Sequence, residues 1–414
     1  MSFVITTDHG FNSGGKMPEQ LKIFGREIID DQSVAQIKNC LREDGLGVLT
    51  ADAHYGYGHP IGGAVAYPNH ISLSGVGFDI ACGNKAVRTD VLAADVDVEA
   101  IMDEIVKKIG FGVGTPNPMK VDHPVLDELP SLEIKIPGRV KSKLLATARE
   151  QLGTIGSGNH FVDLFEDEAG YLWIGVHFGS RGFGHKLTTG FIALSQGLDF
   201  EDGPKNTAMD SDPILFAIDS EMGLDYIQAI HLAGKYAYAG RDTAVDTVRK
   251  ILGADITYEV HNHHNFAWRE EHFGRDYWVV RKGCTPAFPG QKGFIGSNMF
   301  DTSVIIEGVD GEESKKGLYS TVHGAGRVMS RRKARGKVQW KKGPDGKKKP
   351  RVVSKGVVDF DKTREKAKNL GIELRGGGAD ESPECYKSLE EVLRHQGDTI
   401  RLLYSLKPVG VAMA

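Results

Sequence analysis

Cysteine is scarce in this 414-residue chain: Cys40, Cys82, Cys284 and Cys385 are too few and too scattered for a disulfide framework. They are expected as reduced thiols, which points to a cytosol-like, cytoplasmic compartment. Long apolar runs are missing too; none approaches the roughly 18 residues that a membrane crossing needs. The opening MSFVITTDHGFNSGG has neither a basic nor an apolar stretch, so no signal peptide is expected. No repeat of about 20–50 residues is visible, which argues against solenoids and propellers. Without a C-x-x-C pair there is no structural zinc module, and without H-E-x-x-H no zincin. Walker A, a G-x-G-x-x-G turn after a strand, the kinase set and the K-x-D-G of lysine-using nucleotidyl ligases are absent as well.

What is present is an ordinary globular composition, 40% apolar and 26% charged, with enough chain to bury a large core. Glycine is the exception, 52 residues against 16 prolines and with no G-X-Y period. So much glycine predicts many backbone positions with positive φ or in close approach to a ligand. Charge is also uneven. Between Arg331 and Lys355 lie 12 of the 51 Lys and Arg residues and one of the 55 acids, Asp345, which leaves the rest of the chain at −15. A basic stretch on an acidic body is either a docking surface for a polyanion or a solvated, flexible loop.

Periodicity predicts a helix within DDQSVAQIKNCLRE, where Val34, Ile37, Cys40 and Leu41 share a face. Strands are predicted at 63–68, 85–91, 171–178, 256–261, 276–283 and 302–308. Helices are predicted in IMDEIVKKIG and over about 212–252. Ser388 and Glu391 form a capping-box pattern ahead of a further helical run, EVLRHQGDTIRLLYSL. Strands and helices mix without regular βαβ alternation, so the expected fold is α+β, one large domain over residues 1–414. A surface insertion is expected at about 336–356, GKVQWKKGPDGKKKPRVVSKG, with Trp340 its lone aromatic.

Five segments set metal-capable side chains beside glycines. GVGFDIACG puts Asp79 three residues before Cys82, so one tight turn lets a carboxylate and a thiolate face one ion. GTIGSGNHF ends in Asn159, His160 and Phe161, and VHFGSRGFGH has His177 at the end of an apolar strand with Arg181 following. HNHHNF offers His261, His263 and His264, and TVHGAGRVMSRRKAR supplies His323, Arg327, Arg331 and Arg332. A single histidine beside glycine is more often packed than liganding. Jointly, carboxylate, thiolate and imidazole suit a transition metal with an open coordination position, and the thiolate by itself favours zinc or cobalt. In HGAGR the small residues let backbone N–H groups approach phosphate oxygens, and Arg327 adds a bidentate contact. A neutral imidazole there is a reasonable nucleophile toward phosphorus, although the segment alone is first an anion-binding turn with a bystander histidine.

ADAHYGYGHPIGG, GVGFDIACG, GTIGSGNHF, VHFGSRGFGH, HHNF, HGAGRVMSR and the closing YKSLEEVL…LKPVGV occur in the order seen in RtcB-type RNA-splicing ligases. From about Asp31 to its end the chain resembles that family. The resemblance implies the family's α+β fold around a central metal and nucleotide cleft, two Mn2+ ions, and GTP. It also implies joining of RNA 3′-phosphate or 2′,3′-cyclic phosphate ends to 5′-hydroxyl ends. Asp79, Cys82, His160, His177 and His264 match the metal ligands, with Cys82 bridging; His261-Asn262 offers the same dipeptide as His264-Asn265. His323 matches the histidine that becomes guanylylated. Asn159, Phe161, Asp163, Asn265, Gly296, Ser297, Ser303, Gly324, Ala325, Gly326 and Tyr386 match nucleotide-lining positions. Arg181, Arg327 and Arg331 match contacts to RNA or triphosphate, and Asp52 and His54 match residues behind the site. An archease-type activator is a possible partner, and no membrane is expected. The same residues would also serve a metal-dependent RNA-end phosphoesterase, or a nucleotide- or RNA-binding relative without ligase activity.

Three departures from the family pattern surround the nucleotide. Met413 stands where a terminal lysine is expected, Asp163 replaces a glutamate, and Gly296-Ser297-Asn298-Met299 replaces Gly-Ser-Met-Gly with Ser303 offset by one. They put guanine selectivity in question more than metal binding or the nucleophile.

Overall fold

Asp30 starts the first long helix, Asp31–Cys40, by accepting the Ser33 N–H at 2.8 Å, and the face bearing Val34, Ile37 and Cys40 is buried. The computed structural model describes residues 20–205, 208–342 and 348–414. The segment considered for a signal peptide and the turn of the basic insertion lie outside them. The fold is a single α+β domain built on two large sheets. The larger has eight strands. Its path runs Lys292–Ile295, Ser303–Gly308, Ile400–Met413, Phe161–Glu166, Tyr171–Phe178, Gly83–Leu92 and Ile256–His263, and Glu373–Arg375 pairs in parallel with the long third strand. The second sheet runs Leu21–Ile23, Leu46–His54, Ile61–Tyr67, Arg275–Lys282 and Asn265–His272.

A 32-residue helix, Glu221–Leu252, lies across the strand Tyr171–Phe178. Ser220 caps its start and Gly253, at φ 65°, ends it. Ala244, Val245 and Val248 pack on Val87, Ile174, Val176 and Phe178, while Tyr226 and Tyr236 pack with Phe183 and Phe191 farther along the helix. Among the described residues, no helix is long and apolar enough to cross a membrane.

Two expectations change. The run predicted as helix after Ser388 splits into a short helix, Leu389–Gln396, and the strand Ile400–Met413. Gly397, at φ 73°, stops the helix, and the residues beyond it pair with neighbours on both sides, so sheet formation overrides local periodicity. The Ser388 side chain makes no capping bond. The basic insertion is also no loop. Gly336–Lys342 and Lys348–Lys355 pair antiparallel as a two-stranded sheet of their own.

Candidate active site

Antiparallel pairing brings four of the singled-out segments to one edge of the large sheet. Phe161 pairs with His177, His177 with Asn84, and Gly83 with both Phe178 and His263. The strand starts at Phe161 and Gly83 therefore lie beside the strand ends at Phe178 and His263. His160 and Cys82 immediately precede those starts, and His264 immediately follows the last end. The Asp79–Cys82 turn, closed by the Cys82 N–H to the Asp79 carbonyl at 3.1 Å, adds Asp79 to the same row. Close approach accounts for some of the glycine: a Cβ on Gly156 would lie 2.1 Å from His160 Nδ1, and one on Gly179 would lie 2.3 Å from Asp79 Oδ1.

Cys82 Sγ is 3.6 Å from His160 Nε2 and 3.5 Å from His177 Nε2. Thiolate and imidazole donors this close together can share one transition-metal ion. His160 Nε2 also lies 2.8 Å from Asp79 Oδ2, yet that oxygen, His160 Nδ1 and His264 Nδ1 are all buried with no hydrogen-bond partner. Buried polar atoms are rarely left unmatched, so this donor set fits a cation. Asn84 fixes the tautomer of His177. Its Nδ2 donates to the Phe294 carbonyl at 2.7 Å, so its Oδ1 accepts from His177 Nδ1 at 2.6 Å and leaves Nε2 facing Cys82. Burial and Asp79 push the Cys82 thiol well above its ordinary pKa, and burial drives His177 and His264 well below theirs. Burial alone would raise Asp79, but His160 and Arg181 outweigh it and hold the carboxyl at about 2.

The His323 ring lies 5.0 Å from that of His264, which in turn stacks 5.0 Å from His177. His323 Nδ1 is 2.6 Å from Asp52 Oδ2, and the same oxygen accepts the backbone N–H groups of His323 and Gly324 at 3.0 and 3.3 Å. Thr50 donates to the other carboxylate oxygen at 2.6 Å. Burial works against the charge on Asp52, but His323 and these hydrogen bonds bring its pKa below the ordinary value. A buried carboxylate on Nδ1 leaves Nε2 as the free nitrogen of His323. His54 is pushed down to about 4, chiefly by burial.

A cavity of about 480 Å³ joins these groups, a size suited to a small-molecule ligand. It is lined by Asp79, Cys82, His160, His177, His264 and His323, and by Asn159, Phe161, Asp163, Asn265, Gly296, Ser297, Gly324, Ala325, Gly326 and Tyr386. Arg181, Arg327 and Arg331 line it as well. Ser303 does not. It is buried behind the wall, where its Oγ accepts the Ser297 N–H at 2.9 Å, so its contribution is to hold Ser297 rather than to face a ligand. Beyond Phe161 the wall continues along one sheet face with Asp163, Val411 and Met413, since Val411 pairs with Asp163 and Met413 with Phe161. Asp163 accepts only the Ala412 N–H, at 3.3 Å, and burial raises its pKa well above the ordinary value.

The arginines are not equivalent. Arg331 pairs with Glu381 and, at 3.1 Å, with Asp380, while Arg327 donates to the Tyr386 hydroxyl at 2.9 Å and lies 3.6 Å from Glu381. Arg181 makes no ion pair among the described residues and contacts the Gly112 carbonyl and Thr154 at 3.4 Å. Burial lowers its pKa against the opposing charge of Asp79.

His261 and His263 turn away from the cavity toward the fully buried Arg241. Its Nε donates to His261 Nε2 at 2.9 Å, and its Nη1 donates to the carbonyls of Ala81 and Phe178. His263 Nδ1 lies 2.9 Å from its Nη2. His264 lines the cavity and His261 does not. Asn84, Arg241, Glu381 and Lys282 were not singled out from the sequence. Lys282 also lines the cavity, donating to the carbonyls of Tyr57, His59 and Ser74, and burial lowers its pKa to about 8. Each has a glycine nearby that could have marked it: Asn84 follows Gly83, Arg241 follows Gly240, Lys282 precedes Gly283, and Glu381 lies just after three consecutive glycines.

A family model described as tRNA-splicing ligase RtcB matches residues 33–135 and 126–414. Among curated proteins, the RNA-splicing ligase RtcB of Escherichia coli K12 is 31% identical, covering 86% of this chain and 87% of its own. The tRNA-splicing ligase RtcB of Archaeoglobus fulgidus is 28% identical, over 97% of this chain and 95% of its own. That of Thermococcus kodakarensis is 26% identical, over 96% of each.

Proposed function

Because this chain belongs to the RtcB family of RNA-splicing ligases, we propose that it is a GTP- and manganese-dependent ligase joining RNA 3′-phosphate or 2′,3′-cyclic phosphate ends to 5′-hydroxyl ends. The reading takes residues 1–414 as one ligase domain with a basic insertion at about 336–356. The observation that carries it is the Asp52–His323 pair, whose histidine lines the same cavity as the Cys82, His160 and His177 donors.

Asp79, Cys82, His160, His177 and His264 would hold the Mn2+ ions, two in this reading. When bound, such ions supply Lewis-acid neutralisation of phosphate charge. The rest falls to the protein. Asp52 holds the His323 Nδ1 proton, so Nε2 attacks the α-phosphorus of GTP; the N–P bond forms as the bond to pyrophosphate breaks. The phosphoramidate then passes GMP to the RNA 3′-phosphate and frees the imidazole. The incoming 5′-hydroxyl attacks that activated phosphorus, forming the phosphodiester and expelling GMP. A cyclic phosphate is first opened by water to the 3′-phosphate. Arg181, Arg327 and Arg331 orient phosphates, and holding both ends in line supplies much of the acceleration. Four free, buried cysteines support a reducing, cytoplasmic setting, and an archease-type protein is a candidate activator.

The test is incubation with manganese and α-labelled GTP or, in parallel, ATP, followed by denaturing electrophoresis. Wild type is expected to carry an acid-labile, alkali-stable label, and His323→Ala none. Equal labelling of the variant would sink the nucleophile assignment. A preference for ATP would assign the altered Asp163–Met413 wall to a different base.

A further inference from the structure

We propose that the paired strands Gly336–Lys342 and Lys348–Lys355 form an arm that grips the RNA backbone leading into the catalytic cavity. The proposal rests on the RNA-ligase reading above and adds to it the surface that holds substrate outside the site of chemistry.

Position is the first argument. The short helix Arg331–Arg335 begins at Arg331, which lines the cavity, and runs directly into the first strand of the hairpin. Arg332, Lys333 and Arg335 are exposed on it. The hairpin is thus the continuation of the cavity's basic rim.

The second argument is that its root is fixed. Gly336 has φ +80°, and a Cβ there would lie 2.2 Å from the Ser354 carbonyl; one on Gly356 would lie 1.9 Å from the Ala334 carbonyl. Val357 and Val358 donate back to the carbonyls of Lys333 and Ala334 at 3.1 and 3.2 Å. Ala334 is buried, and the pairing of Arg331 and Arg335 with Asp380 ties the helix to the cavity wall. A root held this way aims the arm instead of letting it swing.

Charge and length give the third. The paired strands carry Lys337, Lys341, Lys342, Lys348, Lys349, Arg351 and Lys355 and no acidic residue, with Lys341 opposite Lys349 and Lys342 opposite Lys348. Seven residues of strand span about 23 Å at about 3.3 Å each. That length matches about seven phosphates of a stacked strand at about 3.4 Å per phosphate. The remainder of the chain is acidic, so RNA is repelled from most of the surface and steered to this stretch.

The experiment compares wild type with K341Q/K342Q/K348Q/K349Q. Affinity for a 20-nucleotide RNA, measured without nucleotide across a salt series, should fall at least tenfold, and the log–log salt slope should become shallower by about 2–3 for four lost contacts. Labelling of His323 by GTP and ligation of trinucleotide ends should be unchanged, and arginine at the same four positions should retain RNA affinity. Unchanged RNA affinity and slope would overturn the proposal, as would equal losses for long and short ends. Binding of the wild type to phosphatidylserine vesicles, lost in the variant while RNA binding persists, would reassign the arm to a lipid surface. Failure of wild type to label with GTP counts against the ligase mechanism alone, because the RNA-binding readout is independent of it.

Discussion

Two groups of potential metal ligands lie near one another, one at strand ends of the large sheet and one between that sheet and the long helix, and only one is arranged to keep a cation. In the cavity, Cys82, His160 and His177 converge while buried, with ring nitrogens of His160 and His264 left unpaired. Farther along, where the strand Ile256–His263 meets the long helix, Asp242, Glu259 and His261 converge equally closely, within the same 4.8 Å, but are more exposed. There the Lys85 ammonium already lies 2.7 and 3.1 Å from the two carboxylates, which are half-exposed, and His261 is engaged by Arg241. Convergence alone is therefore a poor criterion. What separates the groups is whether the protein has supplied its own countercharge.

The largest expected effect tests that contrast directly. Cys82→Ala should weaken manganese binding at least 100-fold and abolish ligation, while Glu259→Gln should change neither; free Mn2+ by EPR and a ligation assay read both. Equal loss in Glu259→Gln would erase the distinction. A smaller effect is expected for Asn84→Ala, which frees the His177 ring without touching a donor atom. Metal affinity should fall about 10–100-fold, the usual range for a partner that orients a ligand, with a comparison of melting curves separating this from general destabilisation. The smallest concerns the occupied group. Lys85→Met should cost no more than about 1 kcal/mol, given the solvent exposure of its partners, and should open weak, millimolar cation binding at Asp242, Glu259 and His261. A calorimetric titration showing no added site would mean that Lys85 is not what keeps cations out.

Much of the cavity was legible in the sequence because its residues travel with glycines. Asp79, His160, His177 and His264 each stand beside a turn or strand end, and antiparallel pairing then collects the strand ends at one edge. The choice between His261 and His264 was not legible. Alternation along the strand sends His261 and His263 to the helix side, where Arg241 of the preceding helix holds them, a packing that the dipeptide pattern does not reveal. Asn84 and Glu381 were missed because each acts through a partner far away in sequence. The strand Ile400–Met413 was misread because its leucines also fit a helical period, and only its neighbours in the sheet decide between the two. Ser303 was given a ligand-facing place that belongs to its hydrogen-bond partner Ser297.

Gly336 and Lys355 are ladder partners, so the basic hairpin leaves the domain and returns to it at adjacent points. A short turn could bridge that gap without moving the helices Arg331–Arg335 and Phe360–Asn369 on either side, since closing a loop depends only weakly on its length. The segment is in that sense a removable attachment. Its loss or lengthening would change the charge at the cavity's approach with no alteration to the residues that line the cavity.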